Sequence, residues 1–257
     1  WGLAGETWNF MESLGRLGGQ TWFQLGDRDL ATHLIRTQLL EAGESLSTVT
    51  TEIAARLGIT ARLLPMSDQP VRTMVDTLEG ELPFQRYFVE QQCRPVVKAI
   101  RFEGAESASV QPDVLALLED TNLAAIVLCP SNPYLSIDPL LAIPGMRDAL
   151  KASAAPVIAV SPIVGGRAIK GPTAKIMAEL GLPVTVQAVA DHYRDLLDGL
   201  IIDDADASEA DHLGLPVAVT GTVMQTLDDR DRLACAVLDF ASRLSLDRAS
   251  AASRPPA

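Results

Sequence analysis

The chain has 257 residues, of which 47% are hydrophobic and 21% charged, a composition typical of a folded globular domain and not of a disordered protein. The formal net charge of −12 argues against binding to nucleic acid or to anionic membranes through overall charge, and no apolar run reaches the roughly 18 residues that a membrane span needs. Because Cys93, Cys129 and Cys235 are far apart and show no metal-binding spacing, we expect reduced thiols in a cytoplasmic protein.

The N-terminal part of the chain contains two strand patterns, two helix patterns and an extended region. Apolar runs and helical spacing predict strands at 22–25 and 59–64 and helices at 30–41 and 47–57. Alternating or extended runs follow at 71–77, 82–89 and 96–102. These runs predict a small antiparallel insertion of two or three strands within about residues 66–105.

From residue 112 onward, short apolar runs alternate with helical patterns. We predict strands at 124–128, 156–160, 184–186, 200–202 and 217–219, and helices at 112–119, 139–151, 173–180, 189–197 and 229–244. Apolar strands flanked by amphipathic helices are typical of a mostly parallel, doubly wound α/β sheet. We therefore expect one domain over residues 1–246, followed by a disordered tail at 247–257 that shows no apolar periodicity.

The loop after the predicted strand at 124–128 is rich in proline and carries no charge before Asp138. Its polar groups come from Ser131, Asn132 and Ser136, and we expect Ser136 to be the N-cap of the next helix. A rigid loop of small hydroxyl and amide groups that leads into a helix suits a phosphate or a nucleotide. A proline-rich connection that merely caps its helix explains the pattern equally well.

The loop after the predicted strand at 156–160 combines glycines with basic residues. Between Asp148 and Glu179 there are four bases and no acid, which reverses the charge balance of the chain as a whole. Close backbone approach at glycines beside fixed cations is typical of a phosphate site. A solvated basic turn is the alternative. The residues concerned are Gly165, Gly166, Gly171, Arg167, Lys170 and Lys175.

A third cluster, at residues 26–33, lies between the predicted strand at 22–25 and the helix that follows. Its Arg28 and His33 are candidates to face a ligand. Its Asp27, together with Asp68 after the strand at 59–64, provides strand-end carboxylates of the kind that hold Mg²⁺ against phosphates. Ordinary helix capping is the alternative explanation for these carboxylates.

Six collinear segments carry a family resemblance: GETWN, LGDRDLATH, LLPMSD, PFQ, CPSNPYLSIDPLLAIPG and SPIVGGRAIKGPTAK. Together they resemble the 2-phospho-L-lactate transferase family, which includes the phosphoenolpyruvate-transferring enzymes of coenzyme F420 biosynthesis. The similarity extends from Trp1 to about Leu246. It implies a Rossmann-like α/β domain with a smaller inserted subdomain, in agreement with the pattern of predicted elements.

The resemblance also implies an activity. Family members take a guanosine-diphosphate-linked three-carbon acid and pass its 2-phospholactyl, enolpyruvyl-phosphate or phosphoglyceryl group to 7,8-didemethyl-8-hydroxy-5-deazariboflavin. The ribityl hydroxyl of this deazaflavin attacks the distal phosphorus and GMP leaves, with Mg²⁺ and phosphate-binding loops in support. The oligomeric state stays open at this point, and because dimers are common in such folds a homodimer is the candidate to test.

By position, the resemblance assigns two groups of residues. The deazaflavin acceptor is expected to contact Gln24, Asp27, Arg28, His33, Met66 and Asp68. The nucleotide and its phosphates are expected to contact Ser131, Asn132, Pro133, Ser136, Ser161, Gly165, Gly166 and Lys170. No residue of the chain is identified as catalytic.

One departure from the family pattern affects the expected activity. Family members begin with a strand, a glycine-rich turn and an Asp-rich metal-binding segment, all of which precede the position that matches Trp1. We therefore expect an N-terminally truncated chain that lacks the metal ligands and, with them, the activity.

Two other functions remain open at this point. One is a nucleotide-sugar-binding regulatory protein of the related gluconeogenesis-factor family, without transferase activity. The other is a degenerate structural homologue that serves as a subunit. The deazaflavin-side motifs LGDRDLATH and LLPMSD favour the transferase.

Overall fold

The computed structural model describes residues 3–252, apart from the side chains of residues 249–252. The helices are α1 (Asn9–Arg16), α2 (Asp27–Glu41), α3 (Leu46–Arg56), α4 (Pro112–Glu119), α5 (Asp138–Leu141), α6 (Met146–Ala152), α7 (Thr173–Glu179), α8 (Val186–His192) and α9 (Leu227–Ala252). The strands are β1 (Arg72–Thr77), β2 (Gly80–Pro83), β3 (Val97–Glu103), β4 (Ile126–Leu128), β5 (Val157–Val160), β6 (Ile163–Val164), β7 (Arg167–Ala168), β8 (Gly199–Ile202) and β9 (Val217–Val219). None of the helices within the described range is long and apolar enough to cross a membrane.

A parallel sheet of four strands, in the order β4-β5-β8-β9, forms the centre of the fold. Ile126 pairs with Val157, Ile158 with Gly199, and Leu200 with Val217. Every residue of β5 and β8 is buried, because helices cover both faces of the sheet. The sequence prediction of a mostly parallel, doubly wound α/β sheet is confirmed.

The two faces of the sheet pack against different helices. On one face, Val237 and Phe240 of α9 pack against Ile158 and Ile201. On the other face, side chains of α7 and α8 pack with Leu200 and Ile202. Gly199 is required for the first of these contacts, since a Cβ at that position would lie 2.6 Å from the Phe240 ring.

The insertion forms an antiparallel sheet in the order β2-β1-β3. It is joined to the main core through Val75 and Tyr87, which are fully buried. The antiparallel insertion is confirmed, but the extended segment predicted at 82–89 is wrong. β2 ends at Pro83, which has no N–H to continue the ladder, and a π-helical turn at Arg86–Glu90 carries Tyr87 into the core.

Three predicted strands are not strands in the structure: 22–25, 59–64 and 184–186. Each apolar run lacks a neighbouring strand to pair with. Trp22 and Phe23 instead pack edge to face, with 5.7 Å between ring centroids. Val186 begins α8, where the Thr185 hydroxyl caps the helix by accepting a hydrogen bond from the Ala188 N–H at 3.2 Å.

Three helices differ in more than their first or last turn from the bounds that the sequence predicted. The helix at 139–151 is divided into α5 and α6 by a turn in which Pro144 precedes Gly145, whose φ is +85°. The helix predicted at 189–197 is α8, which ends at His192. α9 continues to Ala252, so the disordered tail predicted from residue 247 is wrong up to that point, and residues 253–257 lie outside the described part. Alanine-rich sequence favours helix, and Arg248 in this extension forms an ion pair with Asp198.

Candidate functional site

A cleft lies at the carboxyl edge of the parallel sheet, where α/β folds generally bind ligands. Its walls come from the loops after β4, β5 and β9 and from the start of α7. The cleft volume is about 150 Å³. This is less than the roughly 300–1,000 Å³ of pockets that enclose a whole small molecule, so a nucleotide would extend from it over the surface. The polar residues in its walls are Ser131, Asn132, Ser161, Lys170, Thr173 and Thr222.

Asn132 places an unpaired donor in the cleft wall. Its Oδ1 accepts hydrogen bonds from the N–H groups of Tyr134 at 3.0 Å and Leu135 at 3.1 Å, which fixes the orientation of the amide. The Nδ2 group is buried and has no hydrogen-bond partner among residues 3–252. A buried donor without an acceptor is costly, so this amide is suited to an acceptor atom on a ligand.

The same geometry corrects the prediction for Ser136. Asn132, not Ser136, is the N-cap, and the element that it caps is a π-helical turn, Pro133–Ile137. Ser136 is exposed and its N–H donates to the Asn132 carbonyl at 2.9 Å. Pro133 is buried, and neither Pro133 nor Ser136 lines the cleft. Asn at the cap was overlooked because Ser136 stands nearer to the helix that the sequence predicts.

The loop that carries Asn132 packs against a partly buried polar cluster. Asp138 Oδ1 lies 2.8 Å from His192 Nε2 at the end of α8, and the His192 ring packs edge to face on Tyr134. Burial, together with the charge of Asp138, raises the pKa of Tyr134 to about 12, so this phenol stays neutral. The cluster connects the loop to α8 and restricts its movement.

Ser161 lies at the end of β5 and is almost completely buried. Its hydroxyl donates to the Ile163 carbonyl at 3.0 Å and accepts from the Ile163 N–H at 3.1 Å. Ser161 lines the cleft, and its contact with a nucleotide stays a prediction. Because both capacities of its hydroxyl serve the local turn, its part in the site is to hold the backbone after β5.

The glycine turn is held by a carboxylate of the protein itself. Gly165 and Gly166 form the two-residue turn between β6 and β7 with φ values of +55° and +72°, which a hairpin turn of this type requires. The Gly165 N–H donates to both oxygens of Asp206, at 3.1 and 2.9 Å. This N–H is therefore not available to a phosphate in this structure, contrary to the role expected of it.

Only part of the predicted basic cluster is available to a ligand. Lys170 is exposed, lines the cleft and forms no ion pair with any described residue. Lys175 points away, because its Nζ donates to the Pro95 carbonyl at 2.9 Å and pairs with Glu179 at 2.6 Å. Lys170 is thus the cation that the cleft offers to an anion.

The residues predicted to contact the deazaflavin do not line this cleft. Asp27 caps α1: it accepts hydrogen bonds from the Thr7 hydroxyl at 2.7 Å, the Asn9 side chain at 3.0 Å and the Phe10 N–H at 3.1 Å. These hydrogen bonds, that from Thr7 first, hold the pKa of Asp27 below its usual value. Arg28 Nη1 donates to the Ala4 carbonyl at 3.0 Å, which also ties the N-terminal segment to α2.

The other acceptor-side residues have mixed surroundings. Asp68 accepts from the Ser47 N–H at 2.7 Å and from its hydroxyl at 3.0 Å at the start of α3. Met66 packs against an apolar cluster and Gln24 Nε2 donates to the Thr21 carbonyl at 2.6 Å. His33 is exposed on α2.

Asp27 and Asp68 do not fit a Mg²⁺ site. The oxygens of both carboxylates already accept hydrogen bonds from the protein. Within residues 3–252 there is also no group of three or more His, Cys, Asp or Glu side chains that could hold a metal ion.

The sequence did not lead us to predict two buried carboxylates, Asp203 and Asp206. It also did not predict that Asp203 holds residues 222–224 of the cleft wall. Asp203 follows β8 and accepts hydrogen bonds from the Thr222 N–H at 2.7 Å and hydroxyl at 3.1 Å. Burial by itself raises the pKa of Asp203, but hydrogen bonds from the N–H groups of Thr222, Ala205 and Val223 outweigh it and hold the pKa below its usual value. The acidic run DDAD directly after the apolar strand was a signal that could have found these residues.

Comparison with known proteins agrees with the architecture and with the motifs. The chain is 36% identical over 237 residues to a 2-phospho-L-lactate transferase of Methanosarcina mazei, covering 91% of this chain and 77% of that protein. It is 42% identical over 212 residues to a phosphoenolpyruvate transferase of Kitasatospora aureofaciens, covering 80% of this chain and 65% of that protein. A phosphoenolpyruvate transferase of Streptomyces griseus is 40% identical over 253 residues, covering 95% and 79%.

Among solved structures, a member of the UPF0052 family from Bacillus halodurans shares the fold. It superimposes with a TM-score of 0.54 and 15% sequence identity, over 76% of this chain and 66% of that one. The description of the family that matches residues 6–233 is "2-phospho-L-lactate transferase CofD". With this match over most of its length, the chain belongs to the 2-phospho-L-lactate transferase family.

Proposed function

We propose that the protein transfers a phosphorylated three-carbon acid from a guanosine-diphosphate-linked donor to 7,8-didemethyl-8-hydroxy-5-deazariboflavin in coenzyme F420 biosynthesis. The family and the names of its relatives support transfer of a 2-phospholactyl or an enolpyruvyl-phosphate group. Phosphoglyceryl transfer is a third version of the same reaction. The observation that carries the proposal is the unpaired Nδ2 donor of Asn132 in a cleft that also contains Lys170.

In the proposed reaction, the ribityl hydroxyl oxygen of the acceptor attacks the distal phosphorus of the donor. A new P–O bond forms, the bond between the two phosphates breaks, and GMP leaves with the bonding electrons. The hydroxyl proton passes to solvent. This chemistry depends on positioning and charge neutralisation more than on covalent catalysis. Asn132 would donate a hydrogen bond to the guanosine-diphosphate-linked substrate, and Lys170 would neutralise part of its negative charge.

The metal ion, the acceptor contacts, the cellular location and the oligomeric state stay predictions. Mg²⁺ would neutralise phosphate charge, but residues 3–252 offer no ligand set for it, so no step is assigned to it. For the acceptor, the exposed His33 and the Oε1 of Gln24 stay predicted contacts. A cytoplasmic location and a homodimer are likewise predictions, and light scattering after size exclusion tests the dimer.

Two measurements test the proposed function. Calorimetry of the purified chain with GDP is expected to show binding, and a nucleotide sugar in place of GDP is expected to show none. The chain, expressed from the start codon of its gene, is then incubated with Mg²⁺, the deazariboflavin and each of the three guanylylated acids, and products are read by mass spectrometry. Release of GMP together with a new phosphodiester mass supports transfer and identifies the donor. Binding of a nucleotide sugar but not of GDP would instead support the regulatory protein.

A further inference from the structure

The acidic run after β8 contains two buried carboxylates and one exposed carboxylate. Asp203 and Asp206 are each only 8% exposed, whereas Asp204 between them is exposed. Burying a charged carboxylate is costly unless hydrogen bonds replace its water. N–H and hydroxyl groups of the protein therefore donate hydrogen bonds to Asp203 and Asp206. The positions of these groups show which segments of the chain the two carboxylates hold in place.

Both oxygens of Asp203 are in use. Oδ2 accepts from the Thr222 N–H at 2.7 Å and from the Thr222 hydroxyl at 3.1 Å, and Oδ1 accepts from the Ala205 N–H at 3.1 Å. Thr222, Val223 and Met224 form one wall of the cleft. Since this segment follows β9 as an irregular loop, the hydrogen bonds to Asp203 fix it against the central strand β8.

Asp206 acts in the same way on another part of the wall. It accepts the Gly165 N–H with both oxygens, at 3.1 and 2.9 Å, next to Val164, which lines the cleft. Asp203 is the N-cap of a 3₁₀ helix, Asp204–His212, that contains Asp206. The two carboxylates therefore connect the start of this helix to two different segments of the cleft wall.

Charge attraction does not explain why two buried carboxylates lie beside this cleft. A negative charge beside a cleft that receives an anion opposes binding, since like charges repel and the repulsion is stronger at reduced dielectric. Structural support of the cleft wall does give a reason, because an ionised carboxylate is a stronger acceptor than a neutral group.

We propose that Asp203 is a positioning residue for nucleotide binding, whose carboxylate holds Thr222–Met224 in the geometry that receives the nucleotide donor. This inference rests on the proposed function, since it takes the cleft to be the nucleotide site. Asp203 does not need to touch the ligand, and its effect passes through the backbone of the wall. Asp206 does the same for the glycine turn.

The variant Asp203→Asn separates positioning from charge because the two effects have opposite signs. Removing a negative charge near the cleft strengthens GDP binding if charge dominates. If positioning dominates, binding weakens by about tenfold or more, because an Asn must turn its NH₂ group toward an existing N–H donor, so that a hydrogen bond to the wall is lost and the wall shifts. Asp204→Asn is the matched control, with the same change of charge at an exposed neighbour, and is expected to leave affinity unchanged or slightly higher.

The experiment measures GDP affinity by calorimetry and amide hydrogen exchange without ligand, on the wild-type chain and both variants. Thermal unfolding establishes that each variant is folded at the temperature used. The expected result is weaker GDP binding and faster exchange at residues 222–224 in Asp203→Asn alone. Tighter or equal GDP binding by Asp203→Asn overturns the inference, and so does unchanged exchange at those residues. If the wild-type chain itself does not bind GDP, the proposed function fails, and the exchange data still decide whether Asp203 holds the wall.

Discussion

Asn132→Asp is a sharp test of the cleft because it changes one half of a side chain that has two separate tasks. Oδ1 caps the turn that follows, and Nδ2 is the unpaired donor in the wall. Aspartate keeps the capping oxygen and replaces the donor with a second acceptor. Asn and Asp cap about equally well, but the new carboxylate oxygen is buried without a hydrogen-bond donor, so we expect the free energy of unfolding to fall by about 1–3 kcal/mol.

The effect on the nucleotide is measured separately, on the folded variant. A hydrogen bond to a charged group contributes about 1.5–3 kcal/mol, which corresponds to about a 10- to 150-fold loss of GDP affinity. Repulsion between the new carboxylate and the phosphates acts in the same direction. Calorimetry with GDP at fixed salt, paired with urea denaturation, measures both quantities.

Asn132→Ala serves as the control that loses both functions of the amide. It is expected to bind GDP weakly and also to lose about 1 kcal/mol of stability with the cap. GDP affinity equal to that of the wild-type chain in a folded Asn132→Asp variant would refute the reasoning, because it would show that the Nδ2 group does not donate a hydrogen bond to the nucleotide.

Three further predictions concern other parts of the molecule. Lys170→Gln removes the exposed cation of the cleft, so GDP affinity should fall by up to about fivefold, with a weaker salt dependence and an unchanged melting temperature; identical salt dependence in calorimetry would exclude Lys170 from the site. Gly199→Ala places a Cβ 2.6 Å from the Phe240 ring, and urea denaturation should show a loss of about 1–3 kcal/mol or more; wild-type stability would mean that α9 can move away at no cost. The pKa of Asp27 is lowered in the folded chain, so its stabilising contribution is present above the pKa of the unfolded chain and is lost as pH falls through the folded value. Asp27→Asn should therefore melt at a lower temperature than the wild type at pH 7, and the gap should close as pH falls below about 4; a gap independent of pH contradicts the capping role of the charge.

The central sheet was predictable because its strands carry a strong local signal. The runs at 157–160 and 199–202 are wholly apolar and buried, and a fully buried parallel strand requires that composition. The runs at 22–25 and 59–64 are also rich in apolar residues, but they are interrupted by Gln24 and by Thr60 and Arg62. A strand also needs a neighbour to pair with, which local sequence does not specify. Pairing partners are a property of the whole fold.

The site was predictable in part for a related reason. Loops that follow parallel strands meet at one edge, so Ser131, Asn132 and Ser161 could be expected to lie near each other. The wall at Thr222 and its attachment to Asp203 depend on which strands are adjacent, and β9 was not distinguished by any motif. Lys175 was misjudged because a charge count does not reveal that a lysine already has a carboxylate beside it.

The strand order has a consequence for how the molecule assembles during folding. Neighbouring strands β8 and β9 are joined by a shorter stretch of chain than β4 and β5 or β5 and β8, and the entropy cost of loop closure rises with the length enclosed. We expect β8 and β9 to pair early, with their register at Leu200 and Val217 established before the rest of the sheet joins. Residues 199–219 would then be a nucleus to which the more distant strands β5 and β4 are added in turn.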